Sequence, residues 1–151
     1  MGFITSTKAR QAGESDWPDI QLILAGVSVG KKFAQTMSHA FGPYQDILES
    51  YYAHAVGKDS FHQIVSVGRP HARGYIRLNS SDPKDAPLIN PNYLDNKHDT
   101  EVLIEGVKKS VELVEKTPTF AVMNGRFTKK SFPGCEHTVF RSDEYWECYV
   151  I

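Results

Sequence analysis

The most regular pattern of apolar and polar positions in the chain lies between residues 96 and 116. Apolar residues recur there at intervals of three and four, which places four of them on one stripe of an α-helix: Ile104, Val107, Val111 and Val114. Asp95 is expected to cap the first turn, and Thr117-Pro118 to end the helix, because the residue before a proline avoids the α conformation. The pattern therefore predicts one long helix over residues 96–116.

Four strands are predicted elsewhere in the chain: residues 2–6, 19–25, 60–67 and 74–78. Alternation with a period of two is partial in the second of them and clear in the third. In the third strand, one face is apolar apart from a single amide side chain: Phe61, Gln63, Val65 and Val67. The opposite face of the same strand carries His62, Ile64 and Ser66. This strand therefore presents two chemically different faces.

Shorter helices are predicted over residues 44–56, from apolar residues at helical spacing, and over residues 142–151, where Ser142 can cap the first turn. Residues 26–42 are rich in glycine and are expected to be irregular, and residues 119–128 are expected to be extended. Short strands in series with one long helix indicate an α+β fold. We expect a mostly antiparallel sheet with the long helix and the shorter helices on one face.

Composition and charge exclude several classes of partner. The chain has 151 residues, 40% of them hydrophobic, which suits one globular domain with its own core. Its 17 basic and 18 acidic residues give a net charge of −1, so no attraction to nucleic acid is expected. No apolar run could span a bilayer and no signal peptide is visible, so no membrane partner is expected. The residues after Met1 match a myristoylation pattern at Gly2, although Phe3 and Ile4 suit a strand better.

No self-contained active site is visible in the sequence. Residues 25–32 have roughly the spacing of a phosphate-binding loop. However, Ala25 stands in place of the first glycine of that motif, and Lys32 stands in place of its Ser/Thr. Because no clear helix follows either, a surface loop is favoured. The six histidines form neither a zinc-protease helix nor a Cys/His cluster, so no metal ion is expected. The nucleophile elbow of hydrolases and the glycine fingerprint of dinucleotide cradles are both absent.

Two features bear on the compartment of the protein. Cys135 and Cys148 are the only cysteines, and they could form a disulfide or stay as two free thiols. Asn79-Ser80-Ser81 is an N-glycosylation sequon at the end of a predicted strand. Both features favour an extracellular location, which the sequence alone leaves open.

Residues 73–93 read as a strand, a turn, a second extended segment and the approach to a helix. This block resembles part of the C-terminal, substrate-binding half of the glucose-methanol-choline (GMC) oxidoreductases, in the glucose dehydrogenase-like form common among arthropods. The resemblance extends in order over further segments: residues 2–6, 16–21, 69–70, 99–107, 133–135 and 142–148. Together they cover nearly the whole chain.

The resemblance implies that residues 1–151 are part of a GMC substrate-binding domain from an enzyme that transfers hydride from the CH–OH group of an alcohol or sugar to FAD. The family's catalytic histidine would lie beyond Ile151, so no catalytic residue is assigned here. The flavin fingerprint is also missing, so no cofactor is expected on this chain alone. The implied partners are an FAD-binding domain of the same protein and a small alcohol or sugar.

The resemblance also implies that one strand lines the substrate pocket. The strand before Arg69-Pro70 would direct His62, Ile64 and Ser66 towards the cavity, with His62 as a wall residue and not as the base. The alternative for the same face is that it packs under a helix. The alternative for the whole chain is a free-standing, non-catalytic module that binds a small ligand or a protein.

Overall fold

The computed structural model describes all residues from Met1 to Ile151. The elements follow in this order: β1 (Gly2–Ile4), α1 (Thr7–Gln11), β2 (Ile20–Ala25), α2 (Phe33–Phe41), α3 (Gln45–Tyr52), a 3-10 turn (Ala53–Ala55), β3 (His62–Val67), β4 (Tyr75–Arg77), β5 (Leu88–Asn90), α4 (Lys97–Lys116), α5 (Pro118–Ala121) and α6 (Asp143–Val150). The predicted α+β class and the long helix are confirmed. None of the helices is long and apolar enough to cross a bilayer.

The strands form two separate antiparallel units. One is a three-stranded sheet in the order β1-β2-β3, in which Ile20 of β2 lies opposite Ile4 on one side and Val67 on the other. The second unit is a ribbon of β4 and β5, in which Ile76 lies opposite Ile89. Every strand pair is antiparallel, as the sequence predicts.

Helix α4 is buried on two sides because it lies between two cores. On one side, Val102 packs with Ile20 and Leu22 of the sheet, supported by partly buried neighbours: Ile4, Val65 and Val67. On the other side, a C-terminal core is built on Cys135, Tyr145 and Trp146. The predicted apolar stripe of α4 supplies three residues to this second core: Ile104, Val107 and Val111. The sequence pattern thus identified one buried side of the helix, and the sheet buries a second.

Gly106 explains how closely α4 approaches the sheet. A Cβ atom at this position would lie 2.7 Å from Cγ1 of Val65 and 2.9 Å from Cγ2 of Ile20. These distances are too short for carbon atoms that are not bonded to each other. The glycine costs about 1 kcal/mol in helix propensity relative to alanine, but it lets the helix backbone rest directly on the sheet.

The cap of α4 differs from the prediction by one residue. Asn96, not Asp95, is the N-cap, and its Oδ1 accepts a hydrogen bond from the backbone N–H of His98 at 2.9 Å. Asp95 instead accepts a hydrogen bond from the side chain of Asn92. The other predicted cap is confirmed, because Oγ of Ser142 accepts from the N–H of Tyr145 at the start of α6.

The prediction of an irregular segment over residues 26–42 is wrong for its second half, where α2 forms and buries Phe33 and Ala34. Gly42, which suggested irregularity, adopts a left-handed conformation (φ 84°) and ends this helix. The expectation that no helix follows Lys32 is therefore also wrong. The preceding loop is folded against the protein, because the N–H of Val29 donates to Oγ of Ser60 at 2.9 Å.

The prediction of an extended segment over residues 119–128 is also wrong at its start. Thr117 is extended, as expected before a proline, but Pro118 then opens the short helix α5. Proline suits the first helical position because its fixed φ is helical and the N–H it lacks would be unpaired there. The chain turns again at Asn124, which has a positive φ of 51°.

Candidate functional site

The three-stranded sheet has one face covered by α4 and one face without a helix along its length. Strand alternation and the register of the sheet place seven side chains on the uncovered side: Phe3, Gln21, Ile23, Ala25, His62, Ile64 and Ser66. We call this surface the open face. It includes all three residues that the sequence proposed for the pocket wall, so these three lie together on one surface.

His62 is the most constrained side chain of the open face. Its ring stacks on Phe33, with centroids 4.8 Å apart and an angle of 13° between the planes, and it meets the ring of Tyr52 edge to face, with centroids 5.5 Å apart. Its Nδ1 lies 3.0 Å from the carbonyl oxygen of Val27. Because a carbonyl can only accept, Nδ1 must carry the hydrogen, which leaves Nε2 of a neutral ring as an acceptor.

The middle of the open face is apolar and accessible. Ile64 is 48% exposed and lies opposite Ile23 of β2, while Phe3 of β1 is 61% exposed. Ser66 and Gln21 form the next pair along the sheet and add a hydroxyl and an amide. The face therefore combines an aliphatic and aromatic strip with a few polar groups, as small-molecule sites commonly do.

Reasoning from the sequence missed the groups that hold His62. Phe33 comes from α2, which was predicted as irregular, and Tyr52 comes from α3. A usable signal was present, because Phe33, Ala34 and Met37 have helical spacing and Gly42 follows as a typical C-cap. The packing of His62 under Phe33 partly agrees with the alternative that this face lies beneath a helix.

Buried tyrosines connect the His62 end of the sheet to the C-terminal core. The ring of Tyr51 lies 4.9 Å from that of Tyr52 and 5.0 Å from that of Phe132. Burial raises the pKa of Tyr52, and burial together with nearby phenol groups raises the pKa of Tyr149 to about 12. These phenols therefore stay protonated at neutral pH and serve in packing, not as bases.

The ribbon is a second exposed apolar surface. Tyr75, Ile76, Leu88 and Ile89, on its two strands, are all exposed, and so is Leu78 just beyond β4. Gly74 allows the two strands to meet, since a Cβ there would lie 2.1 Å from the carbonyl oxygen of Asn90. The ribbon thus carries its apolar residues without a covering layer.

Cys135 and Cys148 are joined in a disulfide with a Cα–Cα distance of 5.8 Å. The bridge ties α6 to the loop before it, inside the C-terminal core. Asn79 lies exposed in a bend after β4. Its glycosylation stays a prediction.

Comparison with known proteins gives a family match. The C-terminal family model described as GMC oxidoreductase matches residues 70–151. Glucose dehydrogenase [FAD, quinone] of Drosophila melanogaster is 33% identical over 141 residues, covering 93% of this chain and 20% of the relative. The corresponding protein of Drosophila pseudoobscura pseudoobscura is 42% identical over 85 residues, covering 56% of this chain and 13% of the relative.

A bacterial choline oxidase, from Arthrobacter globiformis, is 30% identical over 95 residues, covering 62% of this chain and 16% of its own length. The chain therefore spans about a fifth or less of the length of these relatives. No solved structure matches the chain.

Proposed function

Because the chain belongs to the GMC oxidoreductase family, we propose that it is the substrate-side part of a larger flavoenzyme that oxidises a CH–OH group of an alcohol or sugar. The names of its relatives support the chemistry: glucose dehydrogenase with FAD and quinone, choline oxidase and alcohol oxidase. In such an enzyme the flavin accepts the hydride that leaves the alcohol carbon.

The observation that carries the proposal is the amount of surface left uncovered. The chain exposes 10438 Å², whereas a folded monomer of 17.0 kDa exposes about 7,700 Å². The difference of about 2,700 Å² exceeds the roughly 600–1,500 Å² of a usual contact between domains. This surplus of exposed surface supports the proposal that the rest of a larger protein covers the open face and the ribbon. We propose an FAD-binding domain of the same protein as this partner.

The residues of this chain do not suit FAD on their own. A pyrophosphate binds best at a helix N-terminus reached through a glycine-rich turn. The N-terminal turn of α4 instead contains the buried carboxylate of Asp99, which repels phosphate, and the loop before α2 is held against Ser60. We therefore propose that FAD is held by the missing domain, and we assign no step of hydride transfer to a residue of this chain.

The proposed task of the open face is to bind and orient the substrate. Nε2 of His62 would accept a hydrogen bond from a substrate hydroxyl, and Ser66 offers a second polar contact. Ile64 and Phe3 would exclude water from the site, which strengthens polar interactions inside it. Because Phe33 and the Val27 carbonyl already set the orientation of the imidazole, this acceptor is preorganised.

The test compares the 151-residue chain with a longer polypeptide that carries it, of the length of its relatives. With glucose or a short alcohol, FAD and a dye acceptor, we expect the isolated chain to give no turnover and the longer flavoprotein to reduce the dye. Lack of alcohol-dependent dye reduction by the longer flavoprotein would contradict the proposed reaction. Turnover by the isolated chain would contradict the assignment of the flavin site to the missing domain.

The role of the open face is tested separately, by substitutions in the longer flavoprotein. We expect His62→Ala to raise KM for the alcohol by roughly 3- to 10-fold with little change in kcat, because a ground-state hydrogen bond is lost. His137→Ala, at an exposed position in the C-terminal part of the chain, is the matched control and should leave KM unchanged. An unchanged KM in His62→Ala would remove His62 from the pocket wall without affecting the reaction class.

The disulfide and the exposed sequon support a location in an oxidising, extracellular compartment. We propose this location for the whole protein. Digestion with a glycosidase that removes N-linked glycans should lower the apparent mass of the protein from its native source, and Asn79→Gln should abolish that shift.

A further inference from the structure

A cluster of titratable side chains lies apart from the open face, at the N-terminal end of α4. At its centre is the carboxylate of Asp99, which is 1% exposed. Its Oδ1 accepts a hydrogen bond from the N–H of His71 at 2.7 Å, and its Oδ2 accepts one from the N–H of Ala72 at 2.8 Å. The carboxylate is therefore held in one orientation, and Oδ2 still has a free lone pair.

Two imidazoles lie beside this carboxylate. The rings of His71 and His98 are stacked, with centroids 3.8 Å apart and 9° between their planes. Nδ1 of His98 lies 3.4 Å from Oδ1 of Asp99, and one donor atom from each of the three residues lies within 4.8 Å of the others. His71 is exposed, so the cluster can be reached from solvent.

We propose that His71, His98 and Asp99 form a binding site for a divalent transition-metal ion, with Zn²⁺ as the preferred ion. Two imidazole nitrogens and one carboxylate oxygen match the ligands that Zn²⁺ takes in proteins. Mg²⁺ and Ca²⁺ prefer oxygen ligands alone and fit this set poorly. Backbone amides that orient a ligating carboxylate are also the usual outer support of such sites.

Binding requires a defined local movement. The bonds from zinc to nitrogen and oxygen are about 2.0–2.2 Å long, so ligand atoms in a tetrahedral site lie about 3.4 Å apart. Stacked rings direct their lone pairs side by side, so both cannot meet at one ion. The exposed ring of His71 must therefore turn out of the stack and move towards Asp99, while the buried carboxylate stays in place. The fourth position is left to water.

The consequence is a metal clip between two parts of the fold. His71 belongs to the loop after β3, whereas His98 and Asp99 belong to α4, so an ion joins the loop to the helix. The site is on the α4 side of the sheet, opposite the open face. It therefore goes beyond the proposed oxidation of an alcohol, and neither proposal depends on the other.

Calorimetric titration of the metal-free 151-residue chain with Zn²⁺ is the first test, with visible absorption of Co²⁺ as a second readout of a four-coordinate site. We expect one ion per chain. His71→Ala and His98→Ala should each weaken binding by at least about tenfold. His39→Ala and His137→Ala change exposed histidines outside the cluster and should keep the affinity of the original chain. Asp99→Asn is not used, because it also removes the anchor of the loop.

Thermal unfolding gives a readout of the clip itself. At a free Zn²⁺ concentration of roughly 100 times Kd, the unfolding midpoint should rise by about 5–10 °C, and EDTA should reverse the rise. His71→Ala should fold normally by circular dichroism and show no rise. The proposal is overturned if Zn²⁺ produces no binding heat, or if His71→Ala and His98→Ala bind it as well as the two controls do.

Discussion

The three-stranded sheet and the ribbon both contain apolar strand residues, but in opposite environments. Both units pair antiparallel strands. In the sheet, Ile20 is 1% exposed beneath α4, whereas Ile89 in the ribbon is 64% exposed. An apolar strand therefore contributes to stability only where a second layer covers it. The ribbon has no such layer within this chain.

The largest expected effect comes from truncating one isoleucine in each unit. Ile20→Ala should lower the free energy of unfolding by about 2–5 kcal/mol, because it removes buried methyl groups and leaves a cavity. Ile89→Ala is the matched substitution at an exposed site and should change it by less than about 0.5 kcal/mol. Urea unfolding followed by circular dichroism measures both values. Equal losses in the two variants would mean that the ribbon is packed as tightly as the sheet.

The next effect concerns the contact between α4 and the three-stranded sheet. Gly106→Ala should destabilise the chain by up to about 2 kcal/mol, because overpacking of about 1–3 kcal/mol exceeds the gain of about 1 kcal/mol in helix propensity. The control is Gly30→Ala, where a Cβ would meet nothing within 4 Å. Differential scanning calorimetry should show a lower midpoint for Gly106→Ala alone. An unchanged or higher midpoint would show that α4 can move away from the sheet without cost.

A smaller, pH-dependent effect is expected where the far end of α4 is fixed. The Arg141 guanidinium donates two hydrogen bonds to the Glu115 carboxylate and, together with the N–H of Phe127, lowers the pKa of Glu115. A carboxylate whose pKa is lower in the folded state stabilises the fold at pH values above its unfolded-state pKa. This stabilisation is lost as the pH falls through the folded-state pKa. Glu115→Gln should therefore cost about 1 kcal/mol at pH 7.

This cost should shrink as the pH falls below about 4, where Glu115 is protonated first in the unfolded chain and then, at its lowered pKa, in the folded one. Urea unfolding at a series of pH values measures the difference between the two proteins. Glu112→Gln is the control, because the partner of Glu112 is the exposed Lys116 one turn away on the same helix. A difference for Glu115→Gln that stays constant down to pH 3 would contradict the role assigned to the ion pair.

The smallest effect on stability is expected at the surface of the ribbon. Ile76→Lys places a charge on an exposed strand and should change the free energy of unfolding by less than about 0.5 kcal/mol. It should nevertheless reduce binding of a hydrophobic dye, and it should weaken the association with the proposed FAD-binding domain. A large loss of stability would show that Ile76 is covered by this chain after all.

The predictability of each element followed the strength of its local pattern. α4, β2 and β3 have long, clear periodicities, and the sequence located them to within about two residues. α2 was missed because glycines surround it, and α5 because the residue before Pro118 is extended while Pro118 itself starts a helix. Glycine and proline can each end one element or begin another, so the neighbouring residues decide whether a helix forms.

The sequence was sufficient to predict the α+β class, the long helix, the two faces of β3 and the kinship with the GMC oxidoreductases. These follow from periodicity and from segments in a fixed order, which are local properties of the chain. The tertiary structure was needed to show that α4 is buried on two sides, that Phe33 and Tyr52 pack against His62, and that His71 lies against His98 and Asp99. These contacts join residues far apart in sequence, and they depend on packing that no local pattern specifies.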